Sequence, residues 1–239
     1  MKNLSGRKLA ALVIGAAMCA AGLAAWAYQL VAGMQVTAMR NSFTWGLYMG
    51  SFEFFIAMAS GGMLVFSIAY LWNVEQLKPF VKIAAIGSLA SVVASGVAIF
   101  EDLGMPFHAL YMLLTPNVGS PLFWDVIILT LYVIVCVAAV VLSLLPDTKK
   151  HRHDRGYRMN NEENCRKFSY IALPAAFLVN IVTSFMFATQ NTREWWHSAL
   201  IPVNACAEAA AVGLSFTILL CALMAKHDLF VENSDGILL

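Results

Sequence analysis

Residues 122–145 read LFWDVIILTLYVIVCVAAVVLSLL. After Asp125, the run from Val126 to Pro146 holds no Asp, Glu, Lys or Arg. At about 1.5 Å of rise per residue, a helix of this length crosses the ~30 Å hydrocarbon core of a bilayer. In that core every backbone N–H and C=O must be bonded within the segment, which a helix does alone. The stretch is therefore read as a transmembrane helix.

The chain on either side repeats the pattern. Apolar segments lie at about 8–34, 44–72, 81–102, 122–145, 168–189 and 197–225, separated by polar or turn-rich stretches. From Leu9 to Gln35 there is again no charged residue. Over 239 residues, 60% are hydrophobic and 12% charged, against about 25% charged in an ordinary soluble domain. The predicted fold class is all-α, an integral membrane bundle of six transmembrane helices. A four-helix bundle is expected over 1–146, a polar loop over 147–167, two further helices over 168–226 as part of a second bundle, and a tail over 227–239. Small residues at helical spacing, Gly46, Gly50 and Ser60-Gly61-Gly62 in the second segment and Gly87, Ser91, Ser95 and Gly96 in the third, predict close helix contacts.

Charge orients the bundle. Of the 15 Lys and Arg, only Arg40 and Arg193 fall in loops on one side; the rest, among them Lys78, Lys82, Lys149, Arg152 and Arg166, fall on the other. By the positive-inside rule both termini are cytoplasmic. The first segment also has signal-peptide features, with Lys2, Arg7 and Lys8 before it and Ala25-Trp26-Ala27 near its end. Its apolar run exceeds a 7–15-residue h-region, so an uncleaved helix is expected.

Several function classes are excluded at this level. A net charge of +1, with no basic patch, offers nothing to nucleic acid. Cys19, Cys136, Cys165, Cys206 and Cys221 show no paired spacing, so neither a disulfide framework nor an iron–sulfur ligand set is expected. No histidine lies mid-helix, and the two outer ones, His108 and His197, share a side, which argues against a b-type haem. No metal site is predicted.

Ionisable groups inside a membrane are costly and mark functional sites. Glu53 and Glu208 lie deep in the second and sixth segments. Glu101 and Asp102 close the third, Asp125 opens the fourth, Asn180 sits within the fifth with Gln190 at its end, and His108 and His197 flank the outer loops. The cytoplasmic halves of these segments carry almost nothing ionisable. This asymmetry predicts a polar pocket or proton path near the outer face, with Tyr48, Glu53, Asn180 and Glu208 as candidate lining residues. A quinone site needs such an arrangement: a slot for the tail, polar groups at both carbonyls and a group that exchanges protons. Each candidate also has a structural reading. Asp102 and Asp125 fit helix ends, where Asp125 complements the dipole. His197, beside Trp195 and Trp196, fits an interfacial aromatic belt. His151, His153 and His227 fit a solvated surface.

Three stretches resemble one family. Trp45-Gly46-Leu47-Tyr48, with Ala59-Ser60-Gly61-Gly62, resembles the opening helix of the NrfD/PsrC family of polysulfide reductase membrane subunits. Asp102-Leu103-Gly104-Met105-Pro106 and then Leu114-Thr115-Pro116-Asn117 through Ser120-Pro121-Leu122-Phe123-Trp124-Asp125 resemble its outer loop. Gln190 through Trp196-His197-Ser198-Ala199-Leu200 resembles a third motif.

The resemblance implies a quinone-binding anchor without haem or iron–sulfur cluster, exchanging electrons between menaquinol or menaquinone and a four-cluster ferredoxin-like iron–sulfur subunit. A molybdopterin catalytic subunit is the further implied partner, and a bacterial cytoplasmic (inner) membrane the implied location. Carried over by motif position, Asp102, His108, Asp125 and His197 are the implied head-group or proton-transfer residues. Met105 stands where the family motif has arginine, which removes a cation beside Asp102. The family carries two four-helix bundles, so this chain is expected to be a short or truncated member. Two rival readings remain: a structural anchor without quinone turnover, and a small proton-coupled transporter. The transporter predicts inverted repeats with broken helices, for which Pro174 and Pro202 are the only hints.

Overall fold

The computed structural model describes residues 6–37, 39, 45–147, 154–190, 194 and 196–226. Arg40 and Arg193, the basic loop residues Lys149, Lys150 and Arg152, Trp195, and His151, His153 and His227 lie outside the described residues. The described elements are helices α1 (Gly6–Ala32), α2 (Leu47–Leu71), α3 (Val81–Asp102), α4 (Ala109–Leu114), α5 (Pro121–Leu144), α6 (Arg155–Ala188), α7 (Ile201–Glu208) and α8 (Leu214–Lys226). A π-helical turn, Ala209–Gly213, joins α7 to α8. Six helical spans are long and apolar enough to cross a membrane. The chain is a multi-pass membrane protein.

Helix α2 is the hub. It packs on α3, α6 and the α7–π–α8 helix, while α5 closes the ring against α3 and α6. Its sequence explains this position. Ala57, Ala59, Ser60, Gly61 and Gly62 are all buried, and small side chains let neighbouring backbones approach. A Cβ at Gly61 would collide with the backbone of Gly213, and one at Gly62 would meet Ser88 Oγ and the Ala84 carbonyl. The expected close contacts thus occur at Gly61 and Gly62. They do not occur at Gly50 or Gly96, where an added Cβ would meet nothing within 4 Å.

The contacts do not follow the division expected at residue 146. α1 is exposed along its membrane span and touches the bundle only near its end. α6 takes the fourth place in the ring instead. α6 also begins well before residue 168. Asp154 caps it, its carboxylate accepting the Tyr157 N–H at 3.0 Å. Arg158, Met159, Glu162, Glu163, Arg166 and Lys167 favour helix and outweigh Gly156 and the three asparagines, so much of the expected 147–167 loop is helix. At 34 residues, α6 is about 50 Å long, and its first turns extend past an apolar core of ~30 Å. There Glu162, Lys78 and Glu75 form an exposed ion-pair group, with N–O distances of 2.9 Å and 3.2 Å.

The bundle therefore has two ends. The Lys78 end holds this group. The Trp45 end holds the start of α2, the end of α3, the loop to α5 and the loop between α6 and α7. The chain leaving α3 turns at Gly104, whose φ of +63° suits glycine.

Candidate functional site

At the Trp45 end, α2, α6 and α7 border a cavity of about 510 Å³ that is open on one side, where Gly50, Phe54, Asn204 and Glu208 are exposed. Ligand sites usually occupy about 300–1,000 Å³. Trp45 stacks on Trp196 at 5.5 Å between ring centroids, and Phe187 meets both edge-on at 5.2 Å and 5.6 Å. These three rings form one wall. Gly46 and Gly50 line another part, and their missing side chains keep it open.

The polar groups of the cavity are Glu53, Asn204 and Glu208. Asn204 donates from Nδ2 to Glu208 Oε1 at 2.6 Å, one turn apart on α7. The π turn follows Glu208 at once, and such turns are frequent at functional sites. Glu53 faces inward from α2, and its Oε2 is buried with no hydrogen-bond partner. Asp125 and Glu208 are its charged neighbours. An unpartnered buried carboxyl oxygen is costly to fold around, and here it sits on the wall of a cavity.

Behind Glu53 lies Asp125, 2% exposed. Thr183 of α6 donates to its Oδ1 at 2.6 Å. Asp125 is not among the residues that line the cavity. Its reading as a helix-end residue at the membrane interface is corrected: the helix starts at Pro121, and one turn later the side chain is buried against Thr183 of α6. Asn180 does not line the cavity either. Its Nδ2 bonds Ser60 Oγ and the Ala176 carbonyl, both at 2.6 Å, so it ties α6 to α2.

A second cluster occupies the same end between α1, α2 and α3. Tyr48 donates to Gln29 Oε1 at 2.5 Å, and Gln29 donates from Nε2 to the Glu101 carbonyl at 2.8 Å. Asp102 adjoins it with a buried, unpartnered Oδ1. His108 is exposed and meets Tyr111 edge-on at 5.5 Å. His197 is exposed, with Nδ1 at 3.0 Å from the Ala188 carbonyl. The structure thus brings Glu53 and Glu208 into one cavity, with Asp125 behind them. It puts Tyr48 and Asp102 in a separate cluster and His108 and His197 on the surface.

Sequence reasoning missed the aromatic wall and Asn204 as lining, and gave Gln29 no part. Gln29 is 3% exposed, and an amide within an uncharged apolar run was the available signal. No group of three or more His, Cys, Asp or Glu among the described residues is placed to hold a metal ion.

Comparison with known proteins adds lineage. The family model described as "Polysulphide reductase, NrfD" matches residues 35–238. The chain is 30% identical over 224 residues to a "Putative dimethyl sulfoxide reductase membrane subunit" of Halobacterium salinarum, covering 89% of this chain and 51% of the relative. It is 26% identical over 207 residues to an "Hdr-like menaquinol oxidoreductase integral membrane subunit" of Archaeoglobus fulgidus, covering 86% and 48%. It is 21% identical over 235 residues to a selenate reductase subunit of Mesobacillus selenatarsenatis, covering 88% and 54%. The chain spans about half the length of these relatives.

Proposed function

We propose that this chain, which belongs to the polysulphide reductase NrfD family, is the quinone-binding membrane anchor of a respiratory oxidoreductase, with the quinone head group held in the cavity between α2, α6 and α7. The observation that carries the reading is Glu53. Its Oε2 is buried without a partner on the wall of a cavity otherwise made largely of aromatic and apolar side chains. A carboxyl group donates when protonated and accepts when ionised, so it serves either redox state of a quinone.

The residues present fit that ligand. Trp45, Trp196 and Phe187 offer flat apolar surface to a ring. Asn204 and Glu208 offer a second polar pair, and Gly46 and Gly50 leave the space. When bound, the quinone supplies a couple that exchanges two electrons and two protons. Glu53 would hold or release a proton at the cavity wall, with Asp125 behind it as the next carboxyl. Asp102, Tyr48, His108 and His197 lie outside the cavity at the same end, and we assign them to proton exchange with that face.

The relatives' names support the wider setting. They describe subunits of dimethyl sulfoxide and selenate reductases, and one names menaquinol. An iron–sulfur subunit, with a molybdopterin catalytic subunit beyond it, would dock at the Trp45 end. The charge bias of the loops makes that end extracytoplasmic in the cytoplasmic membrane of a prokaryote.

Equilibrium binding of menadione, a naphthoquinone without a tail, to the purified protein in lipid nanodiscs tests the site. Saturable binding is expected. Trp45→Ala and Glu53→Ala should each weaken it about tenfold, a loss of about 1.4 kcal/mol. Equal affinity in both variants and the wild type would remove the quinone from this cavity. No saturable binding at all would leave the purely structural anchor.

A further inference from the structure

Between α3 and α8, with α2 at its back, runs a groove of about 390 Å³. Its origin is in the sequence of α3. Gly87, Ala90, Ser91 and Ala94 recur at intervals of three and four, which puts them on one face of the helix. Small residues let a neighbouring helix come close, and α8 does so at one point: a Cβ at Gly87 would lie 3.0 Å from Leu220 Cδ2. Toward the Trp45 end the two helices part, because α7 leans on α6 while α8 leans on α3. Ala90 is left exposed and Ala94 half-buried.

The cavity at the Trp45 end and this groove share their walls. On α2, Gly50 and Phe54 line the cavity and Met58 lines the groove, at steps of four residues along one face. On the facing helix, Glu208 and Val212 line the cavity, and Phe216 and Leu220 continue at the same step into the groove. Gly50, Phe54 and Glu208 are exposed, so the groove begins on the open side of the cavity. From there it runs away from the Trp45 end. Along α3 it extends from Ala94 to Ile83, about 16 Å.

The two spaces differ in chemistry. The cavity carries Glu53, Asn204 and Glu208, whereas Ser91 is the one polar side chain that lines the groove. Phe55 and Phe216 border it from α2 and α8. A molecule that suits both has a polar ring at one end and a long apolar chain at the other. Any membrane lipid offers a chain to the groove, but the carboxyl groups Glu53 and Glu208 at the cavity end do not suit an anionic phosphate. A chain joined to a head already held in the cavity also enters the groove as an intramolecular event.

We propose that the groove between α3 and α8 seats the isoprenoid tail of the quinone, so that the site takes a tailed quinone from the bilayer and holds it along α2. The inference rests on the preceding reading, which places the head group in the cavity. The head enters through the open side between α2 and α7, and the tail lies between the converging helices toward the Lys78 end. Lipid tails are as apolar as these side chains, so moving from bilayer to groove brings no hydrophobic gain. The gain comes from packed contacts against fixed rings and helix surfaces, each of them small. A seated tail also limits how the ring can turn against Glu53.

Equilibrium binding in lipid nanodiscs, with each ligand expressed as its mole fraction in the membrane, separates tail from head. Menadione reads the head alone, and menaquinone with a geranylgeranyl tail reads both. The tailed quinone should bind the wild type about tenfold tighter than menadione. Ala90→Phe, which fills the groove from its exposed rim, should remove most of that difference while menadione still binds. Val93→Phe, exposed on α3 outside the groove, should leave the difference in place. Equal affinity of the wild type for the two quinones overturns the tail seat and leaves the head site standing. A tail advantage that survives Ala90→Phe also overturns it, and makes the groove a place for bulk lipid. Saturable binding of neither quinone sinks the preceding reading and this inference with it.

Discussion

Gly61 lies where α2 crosses the π turn, and the substitution Gly61→Ala tests how that crossing holds the cavity together. An added Cβ would overlap the Gly213 backbone, and a Cβ at Gly213 would likewise meet the Ala57 carbonyl and Gly61. Backbone cannot rotate aside as a side chain can, so the helices must separate. Overpacking of this kind costs about 1–3 kcal/mol, and a backbone obstacle puts Gly61→Ala in the upper half of that range. Replacing a mid-helix glycine by alanine returns about 0.5–1 kcal/mol through helix propensity. The net is a loss of about 1–2.5 kcal/mol. For a chain of this size each kcal/mol moves Tm by about 2–4 °C, so a fall of about 5 °C is expected.

Gly96→Ala supplies the comparison. Nothing lies within 4 Å of its added Cβ, so only the propensity gain applies and Tm should hold or rise slightly. Thermal unfolding of both variants in one detergent, followed by size-exclusion chromatography, reads the two signs. The crossing also places Asn204 and Glu208 opposite Glu53, so Gly61→Ala should weaken menadione binding while Gly96→Ala should not. If Gly61→Ala melts with the wild type or above it, the close approach of α2 to the π turn is wrong. The cavity geometry built on it then falls as well.

Other perturbations separate the remaining contacts. Thr183→Val keeps the shape but strips Asp125 of its hydrogen bond, which should cost about 1–3 kcal/mol in thermal unfolding; Thr183→Ser should restore most of it. Gln29→Leu breaks the bonds to Tyr48 and the Glu101 carbonyl. A spin label on the exposed Cys19 of α1 should then report greater mobility, with little change in the melting of the bundle. Lys78→Ala loses exposed ion pairs with Glu75 and Glu162. It should shift stability by less than about 1 kcal/mol, and the difference should vanish in molar salt.

The parts of this protein that were legible in its sequence are those set by composition and period. Runs such as Val126–Pro146 can be nothing but membrane helices, and their ends follow from charge and proline. The family was readable from Trp45-Gly46-Leu47-Tyr48 and the loop through Asp125. What a linear reading cannot supply is which helix stands beside which. Chain order puts α1 with the next three, whereas among the described residues α1 meets the bundle near one end, around Trp26 and Gln29, and α6 takes its place. For the same reason Asp125 looked like a helix end at a membrane surface, although Thr183, distant in sequence, encloses it. Depth along a helix was readable, but direction around it was not, so Tyr48 and Glu53 seemed to share a pocket.

The buried hydroxyls show the same limit from the other side. Counting ionisable groups left the Lys78 half of the bundle blank, because hydroxyls are common in membrane helices, where they bond their own backbone. Ser143 does this with the Ala139 carbonyl, and Ser169 with that of Cys165. Such residues need no further explanation. Ser67 differs because its buried hydroxyl has no hydrogen-bond partner, and that distinction exists only once the helices are packed. The two-turn spacing of Ser60 and Ser67, and of Asp125 and Tyr132, was present in the sequence. Which of these groups lie against one another followed only from the packing of α2, α5 and α6.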